Sequence, residues 1–268
     1  TSGNTSDLSN IVQIYSTGGA FAALDKDGYV YAWGHQTYGG FNSNQATRVN
    51  TISGGNSHDD TFKIVSNNFI NYNLIPIYLF KDYDELKDAV DLWISDNNYL
   101  AIKQYGEINT WEVRNVTHMN MLFQDEISFN DNIGAWNVGN VTNMELMFSG
   151  ATSFNQDISG WNVASVKNME GMFYHANTFN QNIGGWDVGK VTDMSGMFNF
   201  AQAFNQDIGG WDVASVENME GMFSHASAFN QDISGWDVAN VTNMSSMFYS
   251  ASTFNQNIGG WDVADVSN

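Results

Sequence analysis

From about residue 105 onward the apolar positions keep a fixed beat. Trp111, Trp136, Trp161, Trp186, Trp211, Trp236 and Trp261 stand 25 residues apart without an insertion or deletion. An isoleucine lies three residues before each tryptophan and a valine two after, so every unit reads I-x-x-W-x-V. Such regularity marks a stacked array, in which each unit buries its apolar side on its neighbours. Trp and Val alternate with small or polar residues, the period-two pattern that predicts a short parallel strand with one buried face, seven in all. Val241, Met244, Met247, Phe248, Ala251 and Phe254 then follow a spacing of three and four, which predicts a helical turn or short 3-10 segment on the opposite side. The fold class expected is a repeat solenoid of leucine-rich-repeat type, with parallel β-strands and short helical or 3-10 pieces. All 12 methionines fall between Met119 and Met247, at recurring positions. Packing explains them better than an adaptable Met-rich binding groove does.

Upstream, Leu86, Ala89, Val90, Trp93 and Ile94 follow helical spacing, with Asp82 and Glu85 placed as a capping box. A helix from about Tyr83 to Ser95 is expected to cover the first coil. Further back, Ala20 to Leu24 and Tyr29 to Gly34 flank Asp25-Lys26-Asp27-Gly28, which reads as a hairpin. Residues 41 to 73 read as loop with scattered strands. The expected organisation is a β-rich region over 1–78, a capping-helix region over 79–104 and the array over 105–268.

Charge narrows the partners. Nine Lys and Arg stand against 29 Asp and Glu, a formal charge of −20 that repels phosphate backbones and anionic lipid, so nucleic acid is a poor partner. No run of 18 apolar residues exists, and direct membrane insertion is not expected. The chain opens on Thr1, not Met, as a processed protein or a fragment would, so a missing leader says little. There is no cysteine, hence no disulfide framework and no thiolate metal site.

Catalytic chemistry finds no constellation. Two of the five histidines, His175 and His225, share a repeat position two coils apart, about 10 Å by strand spacing and too far for one metal ion. The row after each tryptophan is more suggestive: Glu112, Asn137, Asn162, Asp187, Asp212, Asp237 and Asp262. Four stacked aspartates, Asp187, Asp212, Asp237 and Asp262, repel one another, and Ca²⁺ would relieve that cost; a hydrated ladder without an ion is the alternative. The recurring Phe-Asn pair, as in Phe179-Asn180, predicts an inward Asn ladder that satisfies backbone groups. Asn-x-Ser/Thr triplets occur at Asn4, Asn115, Asn140, Asn240 and Asn243, as chance allows in an Asn- and Thr-rich repeat.

Variation concentrates at the pair after Met-Phe: Ser149-Gly150, Tyr174-His175, Asn199-Phe200, Ser224-His225 and Tyr249-Ser250. Tyr174, His175, Phe200, His225 and Tyr249 are the candidate contact edge for a protein or glycan partner; a tolerant loop is the alternative. The last unit delivers Trp261 without the helical part that follows it elsewhere, so Phe254, Ile258 and Trp261 are expected to lie open and to meet another molecule or further chain. Docking of one copy on another there would be self-assembly into a filament or ring.

Trp236-Asp237-Val238, Val241-Thr242-Asn243-Met244, Met247-Phe248, Ala251 and Phe254-Asn255 carry a closer likeness. Over 105–268 the chain resembles the BspA-type leucine-rich-repeat surface proteins, and its first unit departs from the pattern at Glu112, Leu122 and Glu126. The resemblance implies an extracellular or cell-surface role in adhesion or recognition, usually without a defined ligand; that no catalysis and no cofactor beyond Ca²⁺ is expected rests on the residues themselves. The alternative from the uniform coils is a structural subunit of a filament, appendage or particle coat. About Ile11 to Gly40, with Gly39-Gly40, resembles one repeat of the regulator-of-chromosome-condensation type of β-propeller.

Overall fold

The computed structural model describes residues 78–95 and 98–267, together with the backbone of six short strands before them. The chain divides into two compact units, Thr1–Tyr78 and Leu79–Asn268. In the first, β1 (Ile11–Ser16), β2 (Ala20–Asp25), β3 (Tyr29–Gly34) and β4 (Ala46–Arg48) form an antiparallel sheet in that order. The pairing of Ala20 with Gly34 through Leu24 with Val30 makes β2 and β3 a hairpin. A second pair joins β5 (Ile52–Ser53) to β6 (Lys63–Ile64). The turn at 26–28, Gly39-Gly40, Asn4 and the rest of 41–73 lie outside the described residues.

The second unit opens with α1 (Tyr83–Ile94) and α2 (Asn98–Tyr105). Asp82 caps α1, its Oδ1 accepting from the Glu85 amide at 3.0 Å, while Glu85 Oε2 accepts from the Lys81 amide at 2.8 Å. The buried stripe Leu86, Ala89, Val90 and Trp93 faces the array. Phe80, Trp93 and Tyr105 all pack on Trp111, with ring centroids 5.1, 5.8 and 5.9 Å away. These contacts keep Trp111 only 2% exposed although no coil precedes it.

Beyond a 3-10 turn at Ile108–Thr110 the array is a stack of 25-residue coils. Its secondary structure corrects the expected one. Among the described residues of the array there is no strand at I-x-x-W-x-V, and the Met-Phe segment is turn, neither helix nor 3-10. This overturns the leucine-rich-repeat strand solenoid. The backbone-to-backbone bonds that join coils sit in the segment read as helical. Parallel bridges run through His118, Asn143, Asn168, Asp193, Asn218 and Asn243. From there every second amide donates to the next coil: Met169 to Asp193 O at 3.0 Å, Gly171 to Ser195 O at 2.8 Å, Phe173 to Met197 O at 2.9 Å and His175 to Asn199 O at 2.8 Å. The amides between them turn back within the coil, Met172 to Met169 O and Tyr174 to Gly171 O.

Two left-handed residues per coil make this alternation. One column is Met121, Leu146, Gly171, Gly196, Gly221 and Ser246; the other is Asp125, Gly150, His175, Phe200, His225 and Ser250, all with φ between 53° and 74°. Each reversal of φ turns successive amides in different directions, which a helix cannot do.

The apolar positions are buried as their spacing requires. In one coil Ile158, Trp161, Val163, Val166, Met169, Met172, Phe173, Ala176 and Phe179 are at most 4% exposed. Phe173 stacks on Phe148 and Phe198 in adjacent coils, both at 5.7 Å, and on Phe179 of its own coil at 3.9 Å. Each such side chain contributes about 1.5–3 kcal/mol on burial, but only when both neighbouring coils are present.

Candidate functional site

The aspartate row lies on the surface. Asp187, Asp212, Asp237 and Asp262 are exposed, and each points Oδ1 at the amide two residues on, Gly189, Ala214, Ala239 and Ala264, at 3.2 Å. Asn137 and Asn162 make the same bond to Gly139 and Ala164. The row is therefore a set of side chains that close their own turns, a role Asn and Asp share. Among the described residues no group of three or more His, Asp or Glu converges as metal ligands would.

The Phe-Asn ladder exists but faces outward, which corrects the inward reading. Asn180 Oδ1 accepts from the Asn205 amide at 3.0 Å and from Gln206 Nε2 at 2.9 Å, and the bond repeats from Asn130 to Asn255. Asn180 is itself exposed. Of the Asn-x-Ser/Thr triplets, Asn115, Asn140 and Asn240 are all exposed, and the last two donate their side-chain amides to Arg114 O and Ala214 O one coil back, both at 2.8 Å.

The variable pair does come together as a surface. His175, Phe200 and His225 occupy the second left-handed column, at φ 55°, 60° and 57°. Their rings stack at 4.2 and 4.1 Å, each pair 11° from parallel. Tyr174 stands edge-on to His175 at 4.5 Å, and Tyr249 edge-on to His225 at 5.3 Å. The three stacked rings are half-buried and Tyr249 is 63% exposed. Burial of the His175 ring, with the repulsion of His225 behind it, lowers its pKa from the ordinary imidazole value.

Beside this column runs a groove of about 540 Å³, a feature the sequence reading missed. It is lined by Gly171, Gly196 and Gly221 of the first left-handed column together with Glu170, Glu220, Tyr174 and Asn199. The signal was available as three glycines 25 residues apart. Burial, then the negative charges of Asp193 and Glu145, raises the Glu170 pKa. Asn199 Oδ1 is buried with no hydrogen-bond partner among the described residues.

Phe254, Ile258 and Trp261 lie on the face of the last coil, where Tyr249 of that edge lines one hollow with Ile258 and Trp261. They are half-buried, where their counterparts Phe229, Ile233 and Trp236 are 0, 0 and 4% exposed. With Met244, Met247, Phe248 and Val263 the last two line an apolar hollow of about 520 Å³.

One repeat thus builds a constant core and a variable edge, and the family scan returns the same periodic segment. The model of a family described as "Mycoplasma protein of unknown function, DUF285" matches residues 94–202 and again 177–268. The chain belongs to this family. The two DUF285 matches overlap, as a repeating unit allows, and together take in α2 and every coil. Neither a curated protein nor a solved structure matches the chain. Among the described residues no helix is long and apolar enough to cross a membrane.

Proposed function

We propose that this DUF285 chain is a non-catalytic recognition module, displayed at the cell surface or outside the cell, whose lateral edge docks a protein partner. One observation carries the reading: three successive coils hold His175, Phe200 and His225 in left-handed backbone, where a bulky side chain costs about 1–2 kcal/mol, and leave the rings half-exposed. A coil can use glycine there, as Gly150 does, so the core does not demand those rings. Strain that the core does not need is a mark of a working surface.

The ring geometry favours protein over glycan. His175 and Phe200 cover each other's faces, and Phe200 and His225 do the same. What the column offers outward is ring edges and imidazole nitrogens, to which peptide groups and side chains hydrogen-bond, while a sugar ring needs an open aromatic face. The neighbouring groove gives such a partner a place for a side chain. Surface display is supported by the resemblance to BspA-type proteins and suits the charge of −20. The propeller-like reading of the first unit is supported by its four-stranded antiparallel sheet. The filament reading finds less support, because α1 covers the first coil.

The test labels intact producing cells with a membrane-impermeant reagent, then crosslinks the purified chain to extracellular proteins. Wild type is compared with a variant carrying Tyr174→Ser, Phe200→Ser and Tyr249→Ser. Labelling and a crosslinked partner lost only in the folded triple variant support the reading. A chain shielded in intact cells, or a partner held equally by both proteins, overturns it.

A further inference from the structure

The glycine-lined groove holds one mismatch in an otherwise regular pattern of acid against amide. Residues 143–145, 168–170 and 218–220 each read Asn-Met-Glu. A glutamate of this set receives the asparagine of the following coil: Asn168 Nδ2 donates to Glu145 Oε2 at 3.4 Å and Asn243 Nδ2 to Glu220 Oε2 at 2.9 Å. In register with these pairs Glu170 meets Asp193, an ionised carboxylate with no proton to donate. Asp193 is itself served by other donors, Oδ1 by the Ser195 amide at 2.8 Å and hydroxyl at 2.6 Å, Oδ2 by Asn218 Nδ2 at 3.2 Å. Glu170 is left facing a like charge, and the repulsion of Asp193 and Glu145 adds to burial in raising its pKa. The ion pairs among the described residues, Lys81–Asp82, Lys87–Asp91 and Arg114–Glu112, all lie in the cap or the first coil, so no cation of the chain relieves it there.

The groove also holds an acceptor without a donor. Asn199 lines it one coil on from Glu170, and the side-chain oxygen of Asn199 is fully buried with no hydrogen-bond partner among the described residues. Space lies beside it, because a side-chain carbon added at Gly196 would meet nothing nearer than 4.0 Å. The turn does not require glycine there: Leu146 and Ser246 hold the same column at φ 53° and 56°. Three glycines in succession therefore clear room. The volume of about 540 Å³ falls in the range of ligand pockets, roughly 300–1,000 Å³.

Resting on the reading of the lateral edge as a protein-docking surface, we propose that this groove is the subsite for an arginine side chain of the partner, whose guanidinium gives Glu170 the donors that Asp193 cannot. Charge complementarity selects a cation, and the shape of the demand selects which one. A guanidinium carries five donors in one plane, enough for a carboxylate and an amide oxygen together, and its flat face lies against an aromatic ring such as Tyr174. A lysine ammonium is a compact, strongly hydrated charge that meets less of this. A divalent ion does not suit the groove, since among the described residues the carboxylates do not converge in a group of three.

The probe is the tripeptide acetyl-glycyl-arginyl-glycine amide, compared with the same peptide carrying citrulline, a neutral group of nearly the same shape, at an ionic strength of about 0.15 M. Backbone amide shifts are followed at Gly171, Gly196 and Gly221. Gly189, beside the exposed Asp187 and Asp212, reports general attraction to an acidic surface. Saturable shifts at the three groove glycines and not at Gly189 are expected. Affinity should fall at least roughly tenfold with citrulline and about fivefold in Glu170→Gln, as loss of a charge-assisted hydrogen bond implies. Gly196→Leu should abolish the shifts by filling the groove. No saturable shift, equal binding of the citrulline peptide, equal shifts at Gly189, or an unchanged affinity in Glu170→Gln overturns the proposal. The docking reading fails separately: a crosslinked extracellular partner held in full by Glu170→Gln and Gly196→Leu removes the arginine subsite alone, whereas arginine bound as expected by a chain that crosslinks no such partner removes the docking edge and leaves the guanidinium site.

Discussion

The indole nitrogen of Trp186 donates to the carbonyl oxygen of Ile158 at 3.2 Å, one coil and three residues back. That oxygen also accepts from the Trp161 amide at 3.1 Å. The same bond recurs from Trp136 to Ile108 and from Trp236 to Ile208. Each tryptophan is thus both core and inter-coil tie. Trp186→Ala is expected to cost about 3–5 kcal/mol by cavity formation, and Trp186→Phe mainly the tie and part of the packing, closer to 1–2 kcal/mol. Denaturant midpoints of the two variants check the order; equal midpoints for wild type and Trp186→Ala would remove the buried reading.

The outward Asn ladder makes a different prediction, since only its carbonyl oxygen is used. Asn205 Oδ1 accepts from the Asn230 amide at 2.9 Å and from Gln231 Nε2 at 3.0 Å. Asn205→Asp keeps that acceptor and should stay within about 0.5 kcal/mol of wild type at neutral pH. Asn205→Ala removes it and should cost roughly 0.5–1.5 kcal/mol. Thermal melts of both variants decide it: if they are equally stable, water replaces the bond without loss.

The difference between these two positions shows what could be read from the residues. Trp186, Val188, Met194, Phe198 and Phe204 declare burial by chemistry and spacing, and all are at most 4% exposed. Their local backbone is another matter. The three-residue step from Met194 to Met197 reads as helical, yet Gly196 at φ 59° produces it inside a turn. The Trp-x-Val alternation reads as strand, yet a strand needs ladder bonds, and those lie at Asp193 to Phe200. Side-chain periodicity reports which positions face inward; direction of the amides depends on φ signs that a Leu146 or His175 does not announce. For the site, the variable edge was legible because five unlike pairs interrupt a uniform repeat. The groove was not, because it consists of missing side chains at Gly171, Gly196 and Gly221.

Glu170 carries a testable cost. Its carboxyl pKa is raised by burial first and then by Asp193 and Glu145. A raised carboxyl pKa means the folded state binds the proton more tightly than the unfolded chain, so the stabilising side is acid and is lost as pH rises through the folded value. At pH 7 Glu170→Gln should therefore be slightly more stable than wild type, by no more than roughly 0.5 kcal/mol at so exposed a position. Below the ordinary carboxylate range of about 4.3 the advantage should vanish. Melting curves at pH 3.5 and pH 7 test it, and an unchanged difference between them would remove the charge explanation.

The imidazole column carries the opposite sign. His175 is lowered by burial among Tyr174 and Phe200, and further by His225 on the far side of Phe200. A lowered imidazole pKa means the folded chain binds fewer protons than the unfolded one as pH falls. The contribution of His175 is whole above the unfolded value of about 6.5, declines as pH falls from there to the folded value, and is flat below it. His225→Phe keeps a ring against Phe200 but removes the second cation, so the repulsive part of the shift should go and the burial part stay. Carbon-bound imidazole proton shifts followed from pH 8 to pH 4 should place His175 below 6.5 in wild type and nearer to it, still below, in His225→Phe. A wild-type value at or above 6.5 would mean the column does not keep water from the ring, and an unmoved value in the variant would mean the two histidines do not sense each other across Phe200.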